Sequence, residues 1–361
     1  MASAKQKREI RKAAIAAMSP AKLKRYKRYR RRKRARGIGR IALAFFVLLA
    51  MALTTVYCGC YIMLLGPSQS FGDLLTVSLL ETSALKFVPY LYYSDEQVEA
   101  IVARNSVELP TEDTDTSLIV IAPQTETEDG EEEDIQLVEI NGATYNGYML
   151  IVKDPSRVSV GTCSDTFSSG ASGKELYQIA KRYNAVAAIN GGGFPDSGGV
   201  GKGGTASGIT FSQGKAMVKY NSDKHVTTVG FDSENRLLVG KTTYEEAVKK
   251  GVRDCVTFGP ALIVNGKAMN VSGSGSGLNP RTAIGQRADG AVLMLVIDGR
   301  SANSIGASMK DLISIMQEYG AINACNLDGG SSSMMYYNGE YVNTGVHLTG
   351  SRNMPTAFIV Q

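Results

Sequence analysis

Residues 304–329 read SIGASMKDLISIMQEYGAINACNLDG, and this stretch determines the fold that the sequence predicts. Ser308 and Asp311 have the spacing of a capping box, which places the start of a helix at this point. The short apolar run AINACN at 321–326 predicts a strand that ends on an asparagine. Between them, apolar residues recur at the i, i+3, i+4, i+7 spacing of one buried helical stripe, namely Leu312, Ile315, Met316 and Tyr319.

The same pattern occurs earlier in the chain, at 168–193, where nearly half of the aligned positions are identical without a gap. Ser172 and Glu175 have the capping-box spacing in this copy. The run AVAAIN at 185–190 again predicts a strand that ends on an asparagine and opens into a glycine-rich loop. Two copies of one helix–strand unit are therefore expected.

An apolar segment precedes each predicted helix, RVSVG at 157–161 and AVLMLVI at 291–297. The pattern predicts an α+β domain with two pseudo-duplicated β-α-β units in one mixed β-sheet. In such a domain the loops after Asn190 and Asn326 should approach each other, and ligands bind where strands end. A purely architectural duplication, in which asparagine and glycine serve only as turn formers, remains the alternative.

The N-terminal part of the chain differs sharply in composition from the rest. The net charge of +5 conceals a basic tail, because residues 1–40 contain 17 Lys and Arg and one acid. The uncharged run at 41–65 is long enough to cross a hydrocarbon core of roughly 30 Å, and its length favours an anchor over a cleaved signal peptide. Since basic residues stay cytoplasmic, we expect a single pass with the N-terminus inside and everything after Leu65 outside.

The basic block KLKRYKRYRRRKRAR at 22–36 predicts attraction to anionic lipid headgroups. An arginine-rich tail could also bind nucleic acid, but beside a membrane segment lipid attraction suffices, and no nucleic-acid partner is expected. The predicted organisation comprises a basic cytoplasmic tail at 1–40, a transmembrane helix at 41–65, a juxtamembrane spacer at 66–111, an acidic linker at 112–135 and a working domain at 136–361.

The inventory of reactive side chains excludes several classes of hydrolase. The two histidines, His225 and His347, stand alone, so an H-E-x-x-H zinc site or a multi-histidine phosphoesterase site is missing. A G-x-S-x-G nucleophile elbow is also missing from the sequence. Hydrolysis would therefore have to rely on carboxylates, arginines and backbone amides.

The candidate catalytic residues are two aspartates at neighbouring strand ends, Asp298 in IDGR and Asp328 in NLDGGSSS. Either alone could be a turn former, but together with nearby arginines, Arg352 among them, they predict a site for an anionic sugar or phosphate ester. An oxygen-only ligand set leaves a calcium or magnesium ion possible, although no cofactor is required. The candidate substrate-binding residues are Asn190, Gly191, Gly192, Arg281, Thr282, Arg300, Asn326, Gly329, Gly330 and Ser331.

An ordered series of motifs runs through residues 136–361: INGGGF at 189–194, FGPALIVNG at 258–266, PRTAIG at 280–285, IDGR at 297–300, NLDGGSSS at 326–333 and SRNMPTAF at 351–358. Through this series the domain resembles the phosphodiester glycosidase family, which includes the lysosomal uncovering enzyme. Two features depart from the family pattern. Phe194-Pro195 stands where the family often has two aromatics, and two glycines rather than three precede the serines.

The resemblance implies a membrane-anchored extracytoplasmic hydrolase that cleaves the glycosidic bond of a sugar-1-phosphodiester in an envelope polymer or exopolysaccharide. It implies carboxylate roles for Asp328 and Asp298, phosphate contacts for Arg281 and Arg300, and substrate orientation by Asn190 and Asn326. Two alternatives remain open. One is a non-catalytic glycan-phosphate binding or envelope assembly protein, and the other is a phosphodiesterase that cuts at phosphorus.

Overall fold

The computed structural model describes residues 3–82, 84–121, 134–168, 170–196, 201–220, 224–343 and 352–361. They divide into two compact units, residues 1–63 and residues 64–361.

The first unit consists of helix α1 (Ala4–Ala16) and most of helix α2 (Pro20–Leu65). Within the described part of the chain, α2 is the one helix that is long and apolar enough to cross a membrane, by length and composition. Its 46 residues extend for about 70 Å, so the helix continues through the basic block as well as the apolar run. The apolar run at 41–65 is therefore a candidate span.

The second unit contains the remaining helices and all strands that the structure describes. The helices are α3 (Gln69–Leu80), α4 (Asp95–Ala103), α5 (Leu176–Arg182), α6 (Tyr244–Lys249) and α7 (Met309–Glu318), with short 3-10 turns at Pro89–Leu91, Thr116–Leu118, Pro155–Arg157 and Gly330–Ser332. The strands are β1 (Ile135–Asn141), β2 (Asn146–Val152), β3 (Val158–Thr162), β4 (Ala187–Asn190), β5 (Thr210–Ser212), β6 (Lys215–Val218), β7 (Val226–Asp232), β8 (Leu237–Thr242), β9 (Val252–Thr257), β10 (Ala261–Val264), β11 (Lys267–Ala268), β12 (Arg281–Arg287), β13 (Val292–Ile297), β14 (Ala321–Asn326), β15 (Met335–Tyr337), β16 (Glu340–Tyr341) and β17 (Thr356–Val360).

These strands form three sheets in which neighbours pair antiparallel. The seven-stranded sheet has the order β1-β2-β13-β12-β14-β10-β11, and the five-stranded sheets have the orders β16-β15-β4-β17-β3 and β6-β5-β9-β7-β8. One apolar core is shared by strands of all three sheets, and Phe231 of β7 meets Phe358 of β17 in a T-shaped contact, 6.3 Å between ring centroids. Helices α7, α5 and α6 each pack against a different sheet on a smaller apolar cluster.

Along the chain, helix α5 lies between β3 and β4 and helix α7 lies between β13 and β14, and these two sets lie in different sheets rather than in the one mixed sheet that the sequence predicted. In the five-stranded sheet, β3 and β4 each pair antiparallel with β17, so they run parallel to each other with β17 between them. In the seven-stranded sheet, β13 and β14 flank β12 in the same way. The sequence pattern could not distinguish one sheet from two, because each unit is completed by a strand that lies elsewhere in the chain.

The two helices of these units begin differently. Helix α7 begins with the predicted capping box between Ser308 and Asp311. Helix α5 is shorter than predicted and is capped by Glu175, so the capping box expected at Ser172 is wrong. The physical reason is that the backbone at 172–174 pairs with other loops, since Lys174 N donates to the carbonyl oxygen of Met354 (3.1 Å).

Residues 66–111, expected as a spacer, pack against the sheets of the second unit. Leu278 N donates to Ser78 Oγ (2.9 Å), and a bridge joins Val107 to Val271. The helices of the segment bury apolar side chains, which explains why it folds onto the domain: Val77, Val98 and Ile101.

Of the predicted acidic linker, residues 112–121 also contact the domain. Thr114 Oγ1 donates to the carbonyl oxygen of Val239 (2.7 Å), and Val120 N donates to that of Ala288 (2.8 Å). Residues 122–133, which hold most of the acids, lie outside the described residues.

Candidate functional site

The two asparagine-terminated strands bring their loops together, as predicted. Asn190, at the end of β4, donates through Nδ2 to the carbonyl oxygen of Asp328 (2.6 Å). Its Oδ1 accepts from Thr282 Oγ1 (2.7 Å) and from Met334 N (3.2 Å). The amide of this buried side chain therefore joins one loop to the other, and neither Asn190 nor Thr282 lines the cavity described next.

A cavity of about 350 Å³ lies where the β14 loop, the start of β12 and the β13 loop meet. Its lining is strongly polar and includes seven of the predicted site residues. These seven are Arg281, Arg300, Asn326, Asp328, Gly329, Gly330 and Ser331, and the other lining residues are Glu81, Phe194, Asp196, Phe258, Gly259, Asn279, Met309, Ser332 and Arg352.

Asp328 is the carboxyl in this cavity whose acidity is most altered. Desolvation by the surrounding protein raises its pKa from 3.8 to about 6. Hydrogen bonds from Ser332 and from Gly329 N (3.1 Å to Oδ1), together with the charge of Arg352, lower the pKa and limit the rise, whereas Asp196 raises it further. A carboxyl with this pKa exchanges protons near neutral pH, which is the property that a general acid or base needs.

Asn326 is a lining residue of the cavity, and its side chain is buried. Its Nδ2 donates to the carbonyl oxygen of Gly259 (2.8 Å), and this contact fixes the orientation of the amide. Its Oδ1 is buried and has no hydrogen-bond partner within the described part of the chain. A buried acceptor without a partner is costly, so a ligand hydroxyl or N–H at this wall would be stabilised.

Arg352 forms one side of the cavity and is held from three directions. Its Nη1 donates to Ser331 Oγ (2.7 Å), its Nη2 pairs with Asp196, and its guanidinium lies over the ring of Phe194, 4.8 Å from the centroid. The buried Nε has no hydrogen-bond partner within the described residues.

Arg300 occupies a backbone conformation that is rare for its residue type, with φ of 57°. Its side chain donates to Asn279 Oδ1 from Nη2 (3.0 Å) and Nε (3.3 Å). Desolvation lowers the pKa of the guanidinium, the charge of Glu81 raises it and the charge of Arg281 lowers it. The cavity lining therefore holds three guanidinium groups beside three carboxyl groups, those of Glu81, Asp196 and Asp328, and an anion bound between Arg281 and Arg300 would relieve the repulsion between these two.

Arg281, predicted as a phosphate contact, lines the cavity with most of its donors already in use. Its Nε donates to the carbonyl oxygen of Ala307 (3.1 Å), and its Nη2 donates to the carbonyl oxygen of Gly277 (2.6 Å) and to Ser276 Oγ (2.9 Å). The same Nη2 lies 2.6 Å from Glu81 Oε2 in an ion pair.

Glu81 is a site residue that the sequence did not predict. Its carboxylate also accepts from Asn279 Nδ2 (2.6 Å) and Gly277 N (3.1 Å), so three donors from residues 277–281 converge on it. No sequence signal marked this acid, because it lies far from its partners along the chain, in a segment interpreted as a spacer.

The second predicted catalytic residue lies outside the cavity lining. Asp298 Oδ1 accepts from Asn343 Nδ2 (2.9 Å), and its carbonyl oxygen accepts from Ser304 Oγ (2.6 Å). Burial raises the pKa of the Asp298 carboxyl, and the bond from Asn343 lowers it. The two aspartates therefore do not line the same cavity in the described part of the chain.

The predicted glycine loop contacts protein rather than the cavity at its first two positions. A Cβ at Gly191 would lie 2.6 Å from Thr356 Oγ1, and a Cβ at Gly192 would lie 2.8 Å from the Cβ of Val256. These glycines permit close packing of strands. In the turn after Asp328, Gly330 N donates to the carbonyl oxygen of Pro280 (2.9 Å), so this amide is not available to cradle an anion as the sequence suggested.

A divalent cation has no ready ligand cluster in the described ranges, where no group of three or more His, Cys, Asp or Glu side chains could hold a metal ion. His225 lies on the protein surface beside Glu246, 3.2 Å away, and His347 lies outside the described residues.

Comparison with known proteins identifies relatives of this domain. Residues 183–361 match the phosphodiester glycosidase family. The SPβ prophage-derived protein YomE of Bacillus subtilis is 32% identical over 177 aligned positions, and the match covers 46% of this chain and 27% of that protein. The chain thus spans about a quarter of the length of this relative.

A solved structure shares the fold of this chain at low sequence identity. The catalytic domain of zebrafish N-acetylglucosamine-1-phosphodiester alpha-N-acetylglucosaminidase, described as auto-inhibited by its pro-peptide, superposes with a TM-score of 0.55 and 16% identity. The match covers 72% of this chain and 97% of that one. An exported protein of Burkholderia pseudomallei matches with a TM-score of 0.46 and 17% identity over 60% of this chain and 74% of its own.

Proposed function

We propose that this chain hydrolyses the glycosidic bond of a sugar-1-phosphodiester, because residues 183–361 match the phosphodiester glycosidase family. The observation that carries the proposal is the position of Asp328. Its carboxyl, with a pKa of about 6, lines a polar cavity of about 350 Å³ together with three arginines.

The proposed reaction needs only groups that this cavity contains. Water attacks the anomeric carbon, the bond from that carbon to the phosphate oxygen breaks, and the phosphate monoester leaves with the bonding electrons. The ionised carboxylate of Asp328 accepts the proton from the attacking water. Arg352 and Arg300 neutralise the leaving phosphate, which is stable enough to depart without a strong general acid.

Asn326 and Ser331 are proposed to orient the substrate. The unpartnered Oδ1 of Asn326 can accept a hydrogen bond from a sugar hydroxyl, and Ser331 Oγ already links the wall to Arg352 (2.7 Å). Asp298 is proposed to act from outside the cavity, by holding Asn343 and the end of β13 in place. This reassigns Asp298 from a reacting carboxylate to a positioning residue.

We further propose that the chain is anchored in a membrane through residues 41–65, with residues 22–36 at anionic headgroups and the domain outside the cytoplasm. The apolar run and the basic block before it support this arrangement. The substrate would then belong to an envelope polymer or exopolysaccharide. The two β-α-β units, which share nearly half of their aligned residues and enclose one antiparallel strand each, are proposed to descend from one duplicated unit.

Binding without turnover is the second candidate function, and the position of Asp298 favours it, because the second of the two predicted catalytic carboxylates does not line the cavity. Glu81 occupies Arg281, and Asp196 occupies Arg352. If the chain is a hydrolase, these two carboxylates compete with the substrate phosphate for the arginines, and the phosphate displaces them. The zebrafish enzyme is described as auto-inhibited by its pro-peptide, and we propose a related restraint by Glu81, which also precedes the family domain in the chain.

The test uses the full-length chain in detergent with a panel of α- and β-linked sugar-1-phosphodiesters, with and without EDTA. Products are identified by mass, and Asp328→Asn is compared with Asp289→Asn, whose side chain is exposed in a surface turn. Free reducing sugar that disappears only in Asp328→Asn supports the proposal. Release of a sugar phosphate moves the cut to phosphorus, and binding of the panel without any product establishes the second candidate instead.

A further inference from the structure

Residues 71–91 carry five large apolar side chains that are exposed. We refer to them together as the apolar face: Phe71, Leu85, Phe87, Tyr90 and Leu91. These side chains are between 46% and 57% exposed. Both exposed phenylalanines in the described part of the second unit belong to this face. Other large apolar side chains that are exposed in this unit are scattered along the chain, as is usual for a soluble surface.

We propose that this apolar face lies on the outer leaflet of the membrane that helix α2 crosses, and that the cavity takes substrates presented at that lipid surface. The inference rests on the anchoring in the proposed function, and it specifies the substrate class. The expected substrate is a sugar-1-phosphodiester whose other end is held in the membrane by a lipid.

The end of helix α2 fixes the face close to the bilayer. Leu64 is buried, and its carbonyl oxygen accepts a hydrogen bond from the hydroxyl of Tyr93. A Cβ at Gly72 would collide with the same carbonyl group, so α3 packs directly against Leu64. Gly72, near the start of the segment that carries the face, and Tyr93, just after its end, thus both contact Leu64 at the end of helix α2.

The short connection between helix α2 and the apolar face also places that face near the bilayer. Leu65 and Phe71 are close in the sequence, and the chain between them spans at most about 20 Å even when fully extended. The headgroup region adds roughly 5–8 Å to each side of the hydrocarbon core, so the face cannot lie far from it.

The chemistry of the segment suits a lipid surface better than a protein partner. Residues 84–93 read ALKFVPYLYY, with three tyrosines, one phenylalanine, one lysine and no acid. Aromatic side chains and lysine are enriched where a membrane protein meets headgroups, because their apolar bodies insert and their polar ends remain in water. The segment directly follows the apolar run of helix α2 in the chain, which brings it to the bilayer. No other part of the described residues covers the face.

The same segment forms a wall of the cavity. Helix α3 runs from Gln69 to Leu80, and Glu81 follows immediately with its carboxylate on Arg281 and Asn279. Helix α3 between Phe71 and the cavity wall spans about 15 Å. Leu85 follows Glu81 by four residues in the sequence. A substrate tethered in the leaflet would reach the cavity at a high effective concentration.

The absence of tryptophan from the chain allows a direct test by fluorescence. The full-length variant Phe87→Trp is reconstituted in phosphatidylcholine and phosphatidylglycerol vesicles, without bromine or with bromine on the acyl chains, placed either near the headgroups or near the bilayer centre. Its emission is expected to fall by about half in brominated vesicles, as for an aromatic group in the interfacial belt. Leu53→Trp, in the apolar run, is the control for insertion, and Val248→Trp, 52% exposed on α6, is the control for water exposure.

The outcomes separate the inference from the function on which it rests. Quenching of Leu53→Trp and Phe87→Trp but not of Val248→Trp supports the face. Quenching of Leu53→Trp alone overturns it and leaves the anchor intact, whereas no quenching of Leu53→Trp refutes the anchor itself. Leu91→Trp repeats the measurement in case one substitution disturbs local folding.

Substrate preference is tested with the Phe87→Ser, Leu91→Ser double variant, which leaves the cavity untouched. Its kcat/KM for a lipid-anchored sugar phosphodiester is expected to fall about tenfold in vesicles, with no change for a water-soluble substrate that carries the same headgroup. Equal effects on both substrates, or no effect on either, would overturn the proposed substrate class. If wild type hydrolyses neither substrate, the hydrolase function fails, and the quenching result still decides the face.

Discussion

Replacement of Asp328 by asparagine should remove activity and increase stability at the same time. The carboxyl has a pKa of about 6 instead of 3.8 because the cavity wall desolvates it. The native state therefore binds this proton more tightly than the unfolded chain does. Stability contributed by the protonated group is fully present below about pH 4 and is lost as the pH rises through about 6.

The magnitude follows from the size of the change in pKa. A rise from 3.8 to about 6 corresponds to about 3 kcal/mol of native stability that wild type loses at alkaline pH. Asparagine keeps the shape of the side chain without the charge, so it resembles the protonated form. Asp328→Asn should thus equal wild type near pH 4 and exceed it by up to about 3 kcal/mol near pH 8. Loss of a general acid or base should lower kcat by about 10²- to 10⁴-fold.

The assay is urea unfolding of the full-length protein in detergent at a series of pH values, followed by tyrosine fluorescence and near-ultraviolet circular dichroism. Asp289→Asn, with a side chain that is 55% exposed, provides the matched control and should differ from wild type by no more than about 0.5 kcal/mol at any pH. A stability difference for Asp328→Asn that does not grow with pH would refute the reasoning, because it would mean that the charged carboxylate is not desolvated.

Three further substitutions test the walls of the cavity. Glu81→Gln removes a charge that competes for the arginines, so calorimetry should give about tenfold tighter binding of inorganic phosphate, while Glu99→Gln on the exposed side of α4 should change nothing. Gly330→Ala places a Cβ 3.1 Å from the guanidinium of Arg300 and should lower kcat/KM. Gly320→Ala is the control, because Gly320 has the same left-handed backbone without such a contact. Equal losses of kcat/KM in the two variants would contradict a role of Arg300 in the cavity. Arg352→Lys loses the planar fork that holds its partners and should lower kcat/KM about tenfold; an unchanged kcat/KM would exclude a contact with the leaving phosphate.

Local periodicity predicted the elements around which the site is built. The stripe of α7, its capping box and the strand at 321–326 are present, because neighbouring residues alone determine a helix start, an amphipathic face and a short apolar strand. The loops after Asn190 and Asn326 do meet, although the prediction placed their strands in one sheet and the structure places them in two.

What could not be predicted depends on contacts between distant parts of the chain. Glu81 pairs with Arg281, although the sequence of its own segment suggests only a spacer. A repeating pattern of apolar residues cannot indicate that one acid will contact a strand far away in the sequence. Asp298 and Asp328 have equivalent sequence settings, yet Asn343 engages one carboxylate while the cavity receives the other. Similarly, a glycine such as Gly191 gives the same signal whether the group that approaches it is a ligand or a neighbouring strand.

The position of β17 has a consequence for biosynthesis. This strand comes from residues 356–360 but separates β3 from β4, which are translated much earlier. Neither partner strand can complete its sheet before the ribosome has translated residue 360. The five-stranded sheet that contains β17 can therefore form only after the chain has passed that point, whereas every strand of the other two sheets precedes β17 in the chain. A helper that shields nascent β-strands would act during this interval, when the edges of β3 and β4 are still available for pairing with other chains.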